Sequence, residues 1–183
     1  MSMKEIGLGK ALAMTYRAGR MTPGERKELA QKRLKELAAY AGQNSPYYGR
    51  LYKGLPEDWK LTDLPTVNKV DLMAHFDMWL TDRTVTEEAV NSFMEDRENI
   101  GRLMDGKYLI FTTSGSTGSP LVVLYDKTCM NISSALSVLR AYARKEDLSA
   151  FIKKGKRTAS IFAEGFYLGS GSVKYQLCRM PWK

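Results

Sequence analysis

Near residue 105 the chain changes its hydrophobic period, and that change limits what it can fold into. The segments KYLIFTT (107–113) and LVVLYD (121–126) are short, apolar and rich in β-branched and aromatic residues, which is strand composition. A third run of this kind, RTASIFA (157–163), follows after a helical stretch that begins at Asp126 or Lys127. In that stretch Ile132, Ala135, Leu136, Leu139 and Ala143 recur at helical spacing. The expected class is mixed α/β: a helical N-terminal third followed by the beginning of an α/β sheet. A strand–helix–strand order this late in the sequence implies a sheet with further strands, so the domain is expected to be incomplete.

The preceding residues are patterned for helices. Thr22-Pro23 suits a helix start, with Thr as cap and Pro at the first helical position. Leu29, Leu34, Leu37 and Ala41 then mark an apolar face, and the breakers from Gly42 to Pro46 end the helix. Tyr47, Tyr48, Leu51 and Tyr52 fit one or two further turns. A loop punctuated by Pro56 and Pro65 leads to a short helix from Asn68 or Lys69 through Leu72 and His75 to about Asp77. Thr86, followed by Glu87 and Glu88 near the positive end of the macrodipole, opens a helix expected to run to about Met104. The expected organisation is an N-terminal extension (1–22), then one partial domain (23–183) with a helical part to 104 and an α/β part from 105. No internal repeat is present.

Composition removes several function classes. The 183 residues suffice for one core. No run of 18 apolar residues occurs, so no transmembrane helix is expected. The first 20 residues carry Lys4, Lys10, Arg17 and Arg20 without the apolar stretch of a secretory signal, and the cytoplasm is the expected compartment. Cys129 and Cys178 are too few for a disulfide scaffold or a cysteine zinc site, and no metal ligands are assigned. His75, the single histidine, has no paired nucleophile in the sequence and reads as a histidine on or half-beneath a helix surface. The net charge of +8 is divided into +6 over residues 1–50, −3 over 51–144 and +5 over 145–183. Glu25, Glu28 and Glu36 interleave with the bases of the first long helix, as on a solvated face. With no RNA-binding aromatic signature beside this charge, a nucleic-acid partner is not expected.

The residues best suited to chemistry lie between the two strands, in FTTSGSTGSPLVVLYD (111–126). Thr112, Thr113, Ser114, Ser116 and Thr117 provide hydroxyls, while Gly115 and Gly118 permit close backbone approach. Successive N–H groups in such a turn can cradle phosphate oxygens. The segment is not a Walker A loop, because the Gly-Lys-[Ser/Thr] ending is missing and a strand follows. On residue types alone, a Ser/Gly-rich hairpin connection without a ligand is the favoured reading.

The run Thr113-Ser114-Gly115-Ser116-Thr117-Gly118-Ser119-Pro120 resembles the phosphate-binding signature of the adenylate-forming enzymes, which use ATP to activate a carboxylate as an acyl adenylate. Two further blocks are similar to the phenylacetate-CoA ligase and coenzyme F390 synthetase branch. They are Asn44, Pro46, Tyr47 and Tyr48, then Leu64, Pro65, Lys69, Asp71 and Leu72. The resemblance spans about residues 25–180.

What the resemblance implies is an ATP-dependent, AMP-forming ligase that joins a carboxylic acid, by the branch an aryl acid, to CoA. Thr113, Ser114, Gly115, Ser116, Thr117, Gly118 and Ser119 would contact the β- and γ-phosphates, and Gly165, Phe166, Tyr167 and Gly169 would be counterparts of an acyl-pocket segment. ATP and Mg²⁺ are the implied cofactors. Ser119 stands where the family usually has Lys, which removes one cationic phosphate contact. The family's adenine and Mg²⁺ motif, ribose-binding Asp, hinge and catalytic Lys have no match in the 183 residues, so the chain is expected to be an N-terminal portion, inactive by itself. The alternatives are a stand-alone nucleotide- or partner-binding protein with a degenerate loop and, more remotely, a basic polyanion binder.

Overall fold

In a computed structural model of the protein, residues 5–113 and 120–155 and Tyr167 are described. The chain divides into two compact units. One takes the residues up to Thr22, Ile100–Phe111 and those from Val123 onward; the other takes Pro23–Asn99 and Thr112–Val122.

The first unit begins with α1 (Leu8–Gly19), which packs against α7 (Lys127–Ala141). Asp126 caps α7 by accepting from the Cys129 N–H at 2.7 Å, the role expected of a residue directly before a helix. Ile6, just before α1, is held by both its backbone groups. Its N–H donates to Thr128 Oγ1 (3.0 Å) and its carbonyl accepts from Asn131 Nδ2 (2.9 Å). The fully buried residues of the two helices are Ala11 and Ala135. Such small side chains allow close approach of helix axes. Ile132, Leu136 and Leu139 are half-buried on the expected face of α7, but the helix ends at Ala141 and Ala143 is exposed beyond it. Helix α8 (Lys145–Lys153) follows, and Tyr142 and Phe151 bring their rings to 4.8 Å between centroids.

The sheet is small, three-stranded and antiparallel, in the order β1 (Leu103–Met104), β2 (Tyr108–Thr112), β3 (Val122–Tyr125). Leu109 and Ile110 of β2 are about 1% exposed and, with Met104 and Ile100, are core residues. Strands β2 and β3 fall within the two expected runs. Strand β1 was not expected, because the helix starting at Thr86 was extended to Met104. The structure ends that helix, α6, at Glu95, and a 3₁₀ turn follows at Arg97–Asn99. At the helix end Asp96 is extended and accepts from the Glu98 N–H at 2.8 Å, and Asn99 Nδ2 donates to the Phe93 carbonyl at 2.9 Å. Strand β1 itself is set by the Asp105-Gly106 turn. Both residues have positive φ (52° and 65°), and the Lys107 N–H donates to the Met104 carbonyl at 2.9 Å. Positive φ at both central positions matches the right-handed twist of hairpin strands. It pairs Leu103 with Leu109 and Met104 with Tyr108. The strand expected at 157–163 lies outside the described residues.

In the second unit α2 (Pro23–Asn44) leads into α3 (Pro46–Leu51), and the two helices pack together. Of the expected apolar face of α2, Leu29, Leu34 and Ala41 are half-buried, but Leu37 is 59% exposed and the buried residue is Ala38. Burial follows the small residues because α3 lies close. A Cβ placed on Gly49 of α3 would stand 2.8 Å from the Gly42 carbonyl oxygen of α2. Ser45 joins the helices and is 2% exposed. Its Oγ accepts from the Tyr48 N–H (3.2 Å) as the cap of α3 and donates to the Met78 carbonyl (3.1 Å).

The helix expected from Asn68 to about Asp77 is broken at His75 into α4 (Lys69–Ala74) and α5 (Phe76–Trp79). Asn68 caps α4, accepting from the Asp71 N–H at 2.9 Å. Thr86 caps α6 (Glu87–Glu95) through the Ala89 N–H, and Asp77 accepts from the Glu87 N–H at 2.7 Å. Leu72, Phe76, Leu80, Val85 and Val90 form the core of this unit. Among the described residues no helix is long and apolar enough to cross a membrane.

Candidate functional site

Strands β2 and β3 carry the hydroxyl-rich loop between them. Its ends are joined beyond the last strand residues. The Thr113 N–H donates to the Leu121 carbonyl at 3.0 Å, and the Leu121 N–H donates to Thr113 Oγ1 at 2.9 Å. A side-chain oxygen thus accepts the bond that a backbone carbonyl would take in a continued ladder. The sequence explains why the ladder changes here. Pro120 has no N–H to give a further rung, and a Thr hydroxyl is a ready acceptor for a nearby backbone donor. Below this closure Phe111 and Tyr125 meet edge to face, with centroids 4.7 Å apart, on neighbouring strands.

Of the residues expected to contact phosphate, Thr113 is placed at this closure and is exposed. Ser114, Gly115, Ser116, Thr117, Gly118 and Ser119 lie outside the described residues. Of the implied pocket segment, Gly165, Phe166 and Gly169 also lie outside them, while Tyr167 is 6% exposed. Burial of this kind belongs to a core aromatic and to the wall of a closed pocket alike. Among the described residues no cluster of three or more His, Cys, Asp and Glu side chains could hold a metal ion.

A second constellation was not anticipated. The Tyr47 hydroxyl donates to Asp71 Oδ2. His75 Nδ1 lies 2.9 Å from the Asp71 backbone carbonyl and 3.3 Å from Asp71 Oδ1. The Tyr47 and His75 rings lie 5.8 Å apart. Because a carbonyl can only accept, Nδ1 carries the proton in this contact, which leaves Nε2 directed away from Asp71. The hydrogen bond to Asp71, then burial and the carboxylate's charge, push the Tyr47 phenol up from 10 to about 12. Tyr47 therefore stays protonated and holds Asp71 as a donor. The geometry is a clamp between α3 and α4, with an oriented and half-exposed imidazole beside it. No nucleophile accompanies it among the described contacts. The available sequence signal was the i, i+4 spacing of Asp71 and His75 on a helix. Tyr47, 24 residues earlier, could not be added from spacing.

The clamp also joins the two N-terminal blocks of the resemblance, since Tyr47 belongs to the first and Asp71 to the second. Comparisons of the chain with models of known families, with curated proteins and with solved structures find no match.

Proposed function

We propose that the chain supplies the phosphate-binding loop of an ATP-dependent, AMP-forming carboxylate–CoA ligase, of the phenylacetate-CoA ligase and coenzyme F390 synthetase kind. The observation that carries this reading is the reciprocal Thr113–Leu121 pair. It closes the base of the segment Ser114–Pro120, whose hydroxyls and glycines suit phosphate oxygens. Backbone N–H and neutral hydroxyl donors fixed in place can hold a polyphosphate without reorganising when it binds. The meeting of Tyr47 with Asp71 gives further support, because it gives the two sequence blocks a common structural purpose.

On this reading the loop orients the β- and γ-phosphates so that a carboxylate can attack the α-phosphorus, and pyrophosphate departs with the loop's donors around it. CoA would then displace AMP from the acyl adenylate. With Ser119 in place of a cation, the loop's contribution is positional more than ionic.

The test is nucleotide binding to the 183-residue chain by equilibrium dialysis with Mg²⁺ present. ATP is expected to bind more tightly than ADP, and AMP least. Thr117→Val is expected to weaken ATP by about tenfold while leaving AMP unchanged. Equal binding of ATP and AMP, or ATP binding untouched by Thr117→Val, would overturn the loop assignment.

A further inference from the structure

Charge divides unevenly between the two units. Among the described residues, the unit containing α1 and α7 carries 11 Lys and Arg against 5 Asp and Glu, a net +6. The other unit carries 11 against 14, a net −3. The first is therefore the unit that an anionic surface attracts.

Helix α1 adds an apolar element to that charge. It holds no acidic residue, and Lys10, Arg17 and the cap residue Arg20 are exposed. Against α7 it packs the small side chain of Ala11, which is fully buried. Its larger apolar residues stay outside: Leu8 is 46% and Tyr16 56% exposed, with the half-buried Leu12 midway between them. Four-residue spacing puts these three in one stripe, and helical geometry sets the three basic residues along one edge of it. Arg20 Nη1 donates to the Tyr16 hydroxyl at 2.9 Å, and the guanidinium lies 5.6 Å from the ring centroid.

An apolar stripe edged by cations and free of acids is the pattern of a helix lying in a membrane interface. There the apolar side chains enter the headgroup–acyl boundary, Tyr sits at headgroup level, and Lys and Arg reach back to the lipid phosphates. A nucleic acid fits the same surface poorly. Arg20 covers one face of the Tyr16 ring on which a base would stack, and Leu8 offers a phosphodiester nothing to bond.

We propose that α1, still docked on α7, is an interfacial helix that binds this unit to the surface of a membrane containing anionic lipids. Leu8 and Tyr16 enter the boundary, and Lys10, Arg17 and Arg20 hold the headgroups. Helix α1 lies outside the 25–180 span of the resemblance and shares no residue with the 113–119 loop, so this proposal and the ligase reading fail independently.

The test is co-sedimentation of the 183-residue chain with phosphatidylcholine vesicles, with and without about one-third phosphatidylserine. Binding to the phosphatidylserine vesicles is expected to be about tenfold tighter or more at about 0.1 M NaCl. Leu8→Ser/Tyr16→Ser keeps the charge and removes the stripe, and should weaken that binding by about tenfold or more. Lys10→Gln/Arg17→Gln should weaken it by about three- to tenfold. Arg26→Gln/Lys27→Gln, an equal loss of charge on α2 in the other unit, should change it by less than about twofold. All six side chains are exposed, and unchanged far-ultraviolet circular dichroism will show that the variants are folded. No binding to phosphatidylserine vesicles overturns the proposal. So does binding unmoved by Leu8→Ser/Tyr16→Ser, which is adsorption by charge alone, or equal weakening by the charge pairs on α1 and α2. Polyuridylate bound more tightly than the vesicles, and equally unmoved by Leu8→Ser/Tyr16→Ser, would overturn it in favour of a nucleic acid.

Discussion

The Tyr47 hydroxyl and the Asp71 carboxylate are hydrogen-bonded across 24 residues of sequence, which ties the start of α3 to the first turn of α4. The same carboxyl group approaches His75. The bond holds Tyr47 as a phenol up to about pH 12. Since the folded pKa lies above the unfolded value of 10, the stabilisation is fully present below pH 10 and is lost as the pH rises through about 12. Screened by solvent at this partly exposed site, it amounts to on the order of 1 kcal/mol. Urea unfolding should therefore show Tyr47→Phe less stable than the parent chain at pH 8, with the gap narrowing between pH 10 and 12. A gap independent of pH would contradict the bond.

Ser45 holds three segments with one hydroxyl. Its burial and its two partners, the Tyr48 N–H and the Met78 carbonyl, mean that Ser45→Ala leaves a donor and an acceptor without their partner. The expected loss is about 1–3 kcal/mol, larger than for an exposed cap. Ser45→Thr, which keeps the oxygen, separates loss of the hydrogen bonds from loss of fit. Thermal unfolding of the two variants makes the comparison, and an Ala variant as stable as the parent would refute the bridging role.

Gly49 is needed for lack of space. Its φ is not positive, yet an added Cβ would stand 2.8 Å from the Gly42 carbonyl oxygen, a backbone atom that cannot swing away. Gly49→Ala should cost about 1–3 kcal/mol by overpacking, although alanine is the better helix former. Gly54 offers the contrast. Nothing lies within 4 Å of a Cβ there, but its φ is +88°, so Gly54→Ala is penalised by backbone strain. Denaturant midpoints that rise for Gly49→Ala would show that α2 and α3 do not approach this closely.

Local chemistry made part of this fold legible. Asn68, Thr86 and Asp126 each cap the helix that follows, because a short polar side chain before a helix satisfies an N–H whatever the tertiary setting. Strands β2 and β3 were legible from their β-branched and aromatic residues. Strand β1 was hidden because its two residues are defined by pairing across a turn, and continuing the helix from Thr86 concealed the Asp105-Gly106 signal. Leu37 was misplaced because α2 buries its small residues against α3, a choice made by the partner helix and not by hydropathy. Of the candidate site, Ser114 to Ser119 lie outside the described residues, while the place of Thr113 just beyond strand β2 was legible. That the Thr113 hydroxyl would accept from Leu121 was not, since it requires the register of the two strands.

That bond gives the prediction closest to the proposed function. Thr113→Val keeps the β-branched shape but removes the oxygen that accepts from the Leu121 N–H, while the Thr113 N–H to Leu121 carbonyl bond can persist. The site is exposed, so water replaces part of the loss and global stability should fall by about 0.5–1 kcal/mol. The local effect should be larger in kind: the Leu121 amide should exchange with solvent faster, with little change at Leu109 in the middle of β2. Thr113→Ser, which restores the acceptor, should return the Leu121 rate toward the parent value. If the loop binds the phosphates of ATP, Thr113→Val should also weaken ATP, because the donors are then held less rigidly at their base. Unaltered exchange at Leu121 would show that the loop is not closed by this side chain. Altered exchange with unaltered ATP binding would leave the closure in place and remove its link to the nucleotide.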